Sequence, residues 1–134
     1  MPDRIFVDTS FVIALINEKD QYHDQAHALS YKFENSALIT TDAVLLEIGN
    51  ALAKDFREEA AKVIRVLRTA RKVEVRGVDG KLFEDGLAAY EKYADKTWGL
   101  VDCLSFVLMR KEGIREALTF DGDFEQAGFI KINS

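Results

Sequence analysis

Four carboxylates of this sequence occupy positions that could do chemistry together. Each lies at or near the end of a predicted strand or in a helix beside its apolar face: Asp8, Glu47, Asp102 and Asp121. Carboxylates that converge repel one another, and a divalent cation relieves that repulsion. Oxygen-only ligands suit Mg²⁺ or Mn²⁺. If the fold brings these acids together, we expect a metal site.

Each acid also has an ordinary structural explanation. Asp8 and Asp102 can cap the helices that follow them, although Thr9 and Ser10 could cap the first helix equally well. Glu47 can be a solvated helix acid that extends outward. Asp121 can belong to a surface turn with Asp123, two residues later. The hypothesis of a site therefore rests on the set of four, with Asp123 able to share the role of Asp121.

The elements predicted around these acids alternate between short strands and amphipathic helices. Apolar runs predict strands over 5–7, 37–39, 73–75, 117–119 and 129–132. Helical patterns cover 11–17, 24–33, 43–54, 58–72, 81–94 and 103–111. This alternation indicates an α/β fold with a central, mostly parallel sheet of about five short strands, flanked by helices on both faces. In such sheets, sites lie beyond the carboxyl ends of the strands.

Length and composition favour one globular domain, residues 1–134, with 48% hydrophobic residues. One cysteine excludes an internal disulfide, and Cys103 lacks a neighbouring base that would make it a nucleophile. Apolar runs fall far short of the roughly 18 residues that span a bilayer. The N-terminus also lacks the pattern of a signal peptide. We therefore expect a cytoplasmic protein with no membrane partner. The formal net charge of −5 argues, at first sight, against nucleic acid as a ligand.

Several other site classes do not fit. His23 and His27 have the i, i+4 spacing of a zinc protease helix, but Asp24 replaces its glutamate and no third ligand is evident. Receiver domains need adjacent acids after the first strand, and haloacid-dehalogenase-type phosphatases need Asp-x-Asp there, where this chain has Thr9 and Ser10. The sequence also lacks a phosphate loop with Lys and a Gly-x-Ser-x-Gly elbow.

Four ordered segments resemble the PIN domain, and more narrowly the VapC-type ribonuclease toxins of prokaryotic toxin–antitoxin pairs. They are Val7-Asp8-Thr9-Ser10, Leu46-Glu47-Ile48-Gly49-Asn50-Ala51-Leu52, Trp98-Gly99-Leu100-Val101-Asp102-Cys103-Leu104-Ser105 and Thr119-Phe120-Asp121-Gly122-Asp123-Phe124. The resemblance covers essentially the whole chain. It departs from the family at Gly99 and Val101, where relatives often have Ser and Thr.

The resemblance implies a single PIN-like domain and a Mg²⁺- or Mn²⁺-dependent endoribonuclease. It implies that Asp8, Asp102 and Asp121 are the nearest metal ligands and that Glu47 holds a second metal or orients water. Ser10 resembles a family hydroxyl near the metal. Partners implied are an RNA substrate, a cognate antitoxin and a second copy in a homodimer.

The chemistry expected of such a site is in-line attack of an activated water on phosphorus. It would leave a 5′-phosphate and a 3′-hydroxyl and would not need the RNA 2′-OH. The competing hypothesis is a non-catalytic RNA- or protein-binding module with a PIN-like fold, against which the retained acids argue.

Basic residues concentrate in the segment 54–76, which has a net charge of +4 whereas the remainder has −9. Arg65, Arg68 and Lys72 are predicted on one face of the helix over 58–72. This face can be merely solvated, or it can bind the RNA backbone or an acidic segment of the antitoxin.

Spare apolar surface is predicted around Leu46, which lies opposite the apolar stripe of its helix formed by Val44, Leu45, Ile48, Ala51 and Leu52. Together with Phe56 it indicates a dimer or antitoxin contact, or packing against the neighbouring helix.

Overall fold

Strands and helices alternate along residues 3–132, which the computed structural model describes. The five strands are β1 (Arg4–Val7), β2 (Ala37–Thr41), β3 (Val73–Arg76), β4 (Glu116–Leu118) and β5 (Ile130–Ile132). The seven helices are α1 (Thr9–Ile16), α2 (His23–Lys32), α3 (Asp42–Ala51), α4 (Arg57–Thr69), α5 (Gly80–Lys92), α6 (Leu100–Glu112) and α7 (Asp123–Gln126). The two residues at each end of the predicted domain 1–134 lie outside the described part.

The strands form one parallel sheet in the order β3-β2-β1-β4-β5. The chain builds outward from β1 to β3 on one side and then returns to place β4 and β5 on the other. The strand order therefore reverses between β1 and β4, which is where open parallel sheets form a crevice for ligands.

Both faces of the sheet are covered. Successive side chains of a strand point to opposite faces, yet Ile5, Phe6 and Val7 of β1 are all buried. Right-handed crossovers place the helices before β3 on one face and those after β3 on the other. Accordingly α1 packs against α2 and α3, and α5 packs against α6. The predicted fold class is confirmed. Within the described residues, no helix is long and apolar enough to cross a membrane.

Helix starts differ from the prediction at two of the candidate acids. Helix α1 begins at Thr9, and Asp8 is its N-cap because the Asp8 side chain accepts a hydrogen bond from the Ser10 N–H. Of the two alternatives, the structure has the cap by Asp8 and not by Thr9 or Ser10. Helix α6 begins at Leu100, so Asp102 lies inside its first turn and accepts from the Gly99 N–H.

Helix α4 ends earlier than its periodicity predicts. Ala70 already has extended backbone angles (φ −66°, ψ 134°), and the Lys72 carbonyl accepts a hydrogen bond from the Leu38 N–H at 2.9 Å. Lys72 therefore belongs to the approach to β3 and not to the helix that carries Arg65 and Arg68. The predicted single helical face of three basic residues is wrong at Lys72.

Two further differences concern the apolar pattern. Ala51, which we expected in the buried stripe of α3, is exposed at the margin of the helix on the side of Glu47. Helix α7 was not predicted, because its four residues are too few to show helical periodicity.

Candidate active site

Asp8 is the most deeply buried acid of the carboxylate cluster, with a relative exposure of 3%. It directly follows β1, and its N–H donates to the Leu118 carbonyl of β4 at 3.1 Å. Its Oδ2 accepts hydrogen bonds of 2.8 Å from the Ser10 Oγ and from the Thr119 Oγ1. Burial raises the pKa of Asp8, and the two hydroxyl donors act in the opposite direction. The surroundings therefore offset part of the free energy of burying this charge.

The same two hydroxyls also hold the loop that carries Asp121. The Ser10 Oγ accepts from the Phe120 N–H at 2.9 Å, and the Thr119 Oγ1 accepts from the Asp121 N–H at 3.0 Å. Each hydroxyl thus donates to Asp8 and accepts from the backbone beyond β4. Asp8 and Asp121 are fixed relative to each other through this network.

Asp102 lies next to these acids at the start of α6. Burial raises the pKa of Asp102 to about 7, and the negative charge of Asp8 contributes next in order, with smaller contributions from Asp121 and Glu47. The Gly99 N–H, at 3.1 Å from the Asp102 Oδ2, works against this shift. Asp8, Asp121 and Glu47 therefore all lie close enough to Asp102 to affect its ionisation.

Asp123 joins the cluster through the turn after β4. Its N–H donates to the Asp121 Oδ1 at 2.9 Å. One carboxyl oxygen from each of Asp102, Asp121 and Asp123 lies within 4.8 Å of the other two. Burial, followed by the negative charge of Asp121, raises the pKa of Asp123. Asp8 is not part of this three-carboxylate group, and Asp123 lies in it beside Asp121, whose role we expected it to be able to share. The metal-ligand role of Asp8 stays a prediction.

Glu47 reaches the cluster from α3. Its Oε1 accepts a 2.6 Å hydrogen bond from the Thr9 Oγ1, at the first residue of α1. The carboxylate is half-buried, so it is neither a core residue nor the freely solvated acid of the alternative explanation.

The three-carboxylate group fits a small divalent cation. Three oxygens within 4.8 Å of one another can approach a single ion, with the side chains moving inward to the Mg²⁺–oxygen distance of about 2.0–2.1 Å. Its donors are all carboxylate oxygens, which is the chemistry that Mg²⁺ and Mn²⁺ prefer. A bound cation would also relieve the repulsion that favours a proton on Asp102.

A tryptophan holds together the two segments that supply these three acids. The Trp98 Nε1–H donates to the Gln126 Oε1 of α7 at 2.7 Å. The Trp98 ring meets the Phe106 ring of α6 at 5.1 Å and 78°, and Phe106 meets Phe124 of α7 at 4.9 Å and 85°. The start of α6 and the turn at α7 are thereby packed into one unit.

Thr9 and Thr119 are the residues of this site whose roles the sequence did not reveal. A hydroxyl residue directly after an apolar run and two positions before an acid was the signal that could have found Thr119. Its contact with Asp8, 111 residues away, depends on the pairing of β1 with β4.

The three basic residues belong to other elements than the carboxylates. Arg65 and Arg68 are exposed on α4, and Lys72 directly precedes β3. Because the acids lie at the carboxyl ends of the strands, Lys72 lies toward the opposite edge of the sheet. Arg68 lines a cavity of about 430 Å³ with Leu46, whereas Lys72 lines a different, apolar cavity of about 350 Å³. Leu46 is 69% exposed, as expected, and Phe56 is half-buried against the core.

The PIN domain family model matches residues 5–130. The 23S rRNA-specific endonuclease VapC20 of Mycobacterium tuberculosis is 35% identical over 128 residues, which cover 96% of this chain and 97% of the relative. A VapC ribonuclease of Aquifex aeolicus is 29% identical over 105 residues, 78% of this chain and 75% of the relative.

Solved structures agree with the sequence relatives. The crystal structure of M. tuberculosis VapC20, described as a "Sarcin-Ricin loop cleaving toxin", superposes with a TM-score of 0.88 at 34% identity and covers 97% of this chain and 99% of that one. VapBC2 of Rickettsia felis shares the fold, with a TM-score of 0.69 at 15% identity over 97% of this chain and 98% of that one. The chain belongs to the PIN-domain family and, within it, to the VapC-type endoribonuclease toxins.

Proposed function

We propose that this chain is a divalent-metal-dependent endoribonuclease whose site is formed by Asp8, Glu47, Asp102, Asp121 and Asp123. The observation that carries the proposal is the convergence of the Asp102, Asp121 and Asp123 oxygens within 4.8 Å, beside the buried Asp8. The cluster lies at the crevice between β1 and β4, where the strand order reverses.

The roles of the side chains follow from their surroundings. Asp102, Asp121 and Asp123 would hold the cation, Mg²⁺ or Mn²⁺. A cation bound there lowers the pKa of water and neutralises charge on the phosphate. Asp8 adds a negative charge beside these three acids, and hydrogen bonds from Ser10 and Thr119 keep it in place. Glu47, fixed by Thr9, would orient the attacking water or hold a second cation.

We propose 23S ribosomal RNA as the substrate, cut in the sarcin–ricin loop. The support is the similarity to VapC20, at 35% identity over 96% of this chain, whose name and crystal structure specify those targets. A loop also suits a site at an open sheet edge, because its bases and backbone are not enclosed in a duplex.

The test is cleavage of purified ribosomes with Mg²⁺, read by primer extension across 23S rRNA and by the chemistry of the new ends. We expect one cut in the sarcin–ricin loop that leaves a 5′-phosphate, and loss of cleavage in EDTA. Asp8→Asn and Asp102→Asn should abolish it, whereas Asp55→Asn, which changes an exposed acid of the same charge, should not. Full activity in either site variant, or cleavage that persists in EDTA, would refute the proposal.

We also propose an antitoxin and a second copy of the chain as partners. Leu46 is 69% exposed beside the cavity that Arg68 lines, and this surface is our candidate for the dimer contact. Leu46→Glu should then convert a dimer to a monomer in light scattering, and an unchanged mass would exclude the assignment.

Arg65, Arg68 and Lys72 are our candidates for contacts with RNA or with an acidic segment of the antitoxin. Neutralising the three should flatten the salt dependence of RNA binding if they contact the RNA backbone. An unchanged salt slope with weakened antitoxin binding would assign them to the antitoxin.

A further inference from the structure

Tyr22 is stacked flat against Phe120, the residue that precedes Asp121 of the carboxylate cluster. The two ring centroids are 4.5 Å apart and the ring planes differ by 2°. Tyr22 is nevertheless 37% exposed. Phe120 covers one face of the tyrosine ring, so the exposed part of Tyr22 is a part that Phe120 does not cover. That part remains accessible to a ligand.

The ring beneath Tyr22 is tied to the site. Phe120 directly precedes Asp121, and its N–H donates to the Ser10 Oγ, which in turn donates to Asp8. The Phe120 ring also lies near the Phe11 ring of α1, with the ring centroids 6.2 Å apart and the ring planes at 24°. Three rings thus form a stack from the core outward, and Tyr22 is its outermost member.

The backbone that carries Tyr22 is held by local hydrogen bonds. The Tyr22 N–H donates to the Asp20 Oδ1 at 2.8 Å, and the His23 N–H donates to the Asp20 carbonyl at 3.0 Å. The His23 ring is fixed as well, with its Nδ1 2.8 Å from the Ala14 carbonyl oxygen. A ligand that stacks on Tyr22 would therefore lose little free energy to ordering this residue.

We infer that Tyr22 is a base-stacking residue that positions an unpaired nucleobase of the substrate beside the phosphate to be cut. Every base has a π-face, and stacking on an exposed aromatic side chain is a main source of affinity for unpaired RNA. The inference rests on the proposed endoribonuclease function, because it names the group that binds that substrate.

The test compares substitutions at Tyr22 by binding and by kinetics. Tyr22→Leu keeps an apolar cover over Phe120 but removes the ring, whereas Tyr22→Phe and Tyr22→Trp keep an aromatic face. Tyr31→Leu is the matched control, since Tyr31 is an exposed tyrosine of α2 about 14 Å further along the helix axis. Thermal melting establishes that all four variants fold.

Binding is read without cleavage, with Mg²⁺ present and Asp8→Asn added to every variant, on single-stranded RNA oligonucleotides that each carry one 2-aminopurine. Stacking on a tyrosine quenches this base, so wild type and Tyr22→Trp should quench it at one position and Tyr22→Leu should not. In cleavage with Mg²⁺, Tyr22→Leu should raise KM roughly ten- to hundredfold with little change in kcat. Tyr22→Phe and Tyr31→Leu should stay close to wild type.

The outcomes separate the two proposals. Cleavage with an unchanged KM in Tyr22→Leu, or equal losses in the Leu, Phe and Trp variants, would overturn the stacking role and leave the endoribonuclease intact. Position-specific quenching that depends on the ring, without cleavage of any RNA, would support the stacking surface while refuting the proposed function.

Discussion

Asp102 meets two requirements that oppose each other. A metal ligand has to be ionised, whereas burial among other acids raises the pKa of Asp102 to about 7 from 3.8. The folded protein without metal therefore contains an acid whose charge is unfavourable at physiological pH, because ionising it costs free energy that an unfolded chain does not lose.

Replacing this acid should therefore stabilise the metal-free protein. We expect Asp102→Asn to raise the melting temperature in EDTA at pH 8 by a few degrees, corresponding to about 1 kcal/mol, because the amide can still accept from the Gly99 N–H. Differential scanning calorimetry measures it, and cleavage of RNA should be lost in the same variant. A lower melting temperature than wild type would show that burial and the neighbouring charges do not make the ionised Asp102 unfavourable.

Thr119 should be needed for its hydroxyl. Thr119→Val keeps the shape but removes the donor to Asp8 and the acceptor for the Asp121 N–H. We expect a loss of about 1–3 kcal/mol in the free energy of unfolding by urea, with at least a tenfold decrease in cleavage rate. Thr119→Ser, which retains the hydroxyl, is the matched control. Equal effects of Ser and Val would show that the methyl group matters and the network does not.

For the individual residues, the sequence could predict which acids lie near one another, but not which hydrogen bonds hold them in place. Asp8 and Asp121 follow apolar runs, and parallel strands bring their ends to one edge. The hydroxyl contacts of Ser10 and Thr119 depend on which strands are neighbours, and local periodicity carries no such information. The choice between Asp8 and Asp123 as members of the closest carboxylate group depends equally on side-chain geometry after folding.

Among the elements, the packing of α5 on α6 determines where Asp102 is presented. Gly86 of α5 faces Leu104 of α6 so closely that a Cβ at Gly86 would lie 2.4 Å from the Leu104 Cδ2 and 2.9 Å from its Cγ. Leu104 is buried at 3% exposure and has little freedom to move away. The small residue therefore sets the distance between the two helices.

Gly86→Ala should be destabilising although alanine favours helices. Overpacking costs about 1–3 kcal/mol, and the helix propensity gained is about 1 kcal/mol, so we expect a net loss of up to about 2 kcal/mol by urea unfolding. Gly80→Ala is the control in the same helix, because nothing lies within 4 Å of a Cβ there. If Gly86→Ala were as stable as Gly80→Ala, the helices would be free to separate.

The positions of the strands and most helices were predictable because apolar runs and amphipathic periods are local signals. The ends of the helices were less predictable. The periodicity of α4 continues to Lys72, but Ala70 turns into extended backbone as the chain approaches β3. The short α7 gives no periodic signal because it has only four residues. Its place depends on the packing of Phe124 and on the hydrogen bond from Trp98 to Gln126.

For the whole molecule, the distribution of charge matters more than its sum. The net charge of −5 argued against a nucleic-acid ligand, yet five of the acids gather at one edge of the sheet. A cation bound among them reverses the sign of the potential that a phosphate meets locally. Net charge therefore does not indicate whether this protein binds RNA.

This arrangement predicts that metal ions stabilise the fold in a pH-dependent way. The raised pKa of Asp102 means that the folded state holds a proton that the unfolded state releases, so stability without metal falls as the pH rises from about 4 to about 7. Below pH 7 the proton competes with Mg²⁺, and above it the site is ready to bind. We expect the Mg²⁺-induced increase in melting temperature to be larger at pH 8 than at pH 6.

Asp102→Asn is the reference for this measurement, because its amide does not titrate and should remove most of the difference between the two pH values. An Mg²⁺ effect that is independent of pH in the wild type would mean that Asp102 is not a ligand.

The hydrogen bond between Thr119 and Asp8 joins residues 111 positions apart in the chain. At a synthesis rate of about 5–20 residues per second, roughly 6–22 s separate the translation of the two. Throughout that interval the nascent chain has β1 and its aspartate but neither the strand nor the hydroxyl that complete the cluster. The carboxylate cluster of a nascent chain therefore stays incomplete until β4 and Thr119 have been translated.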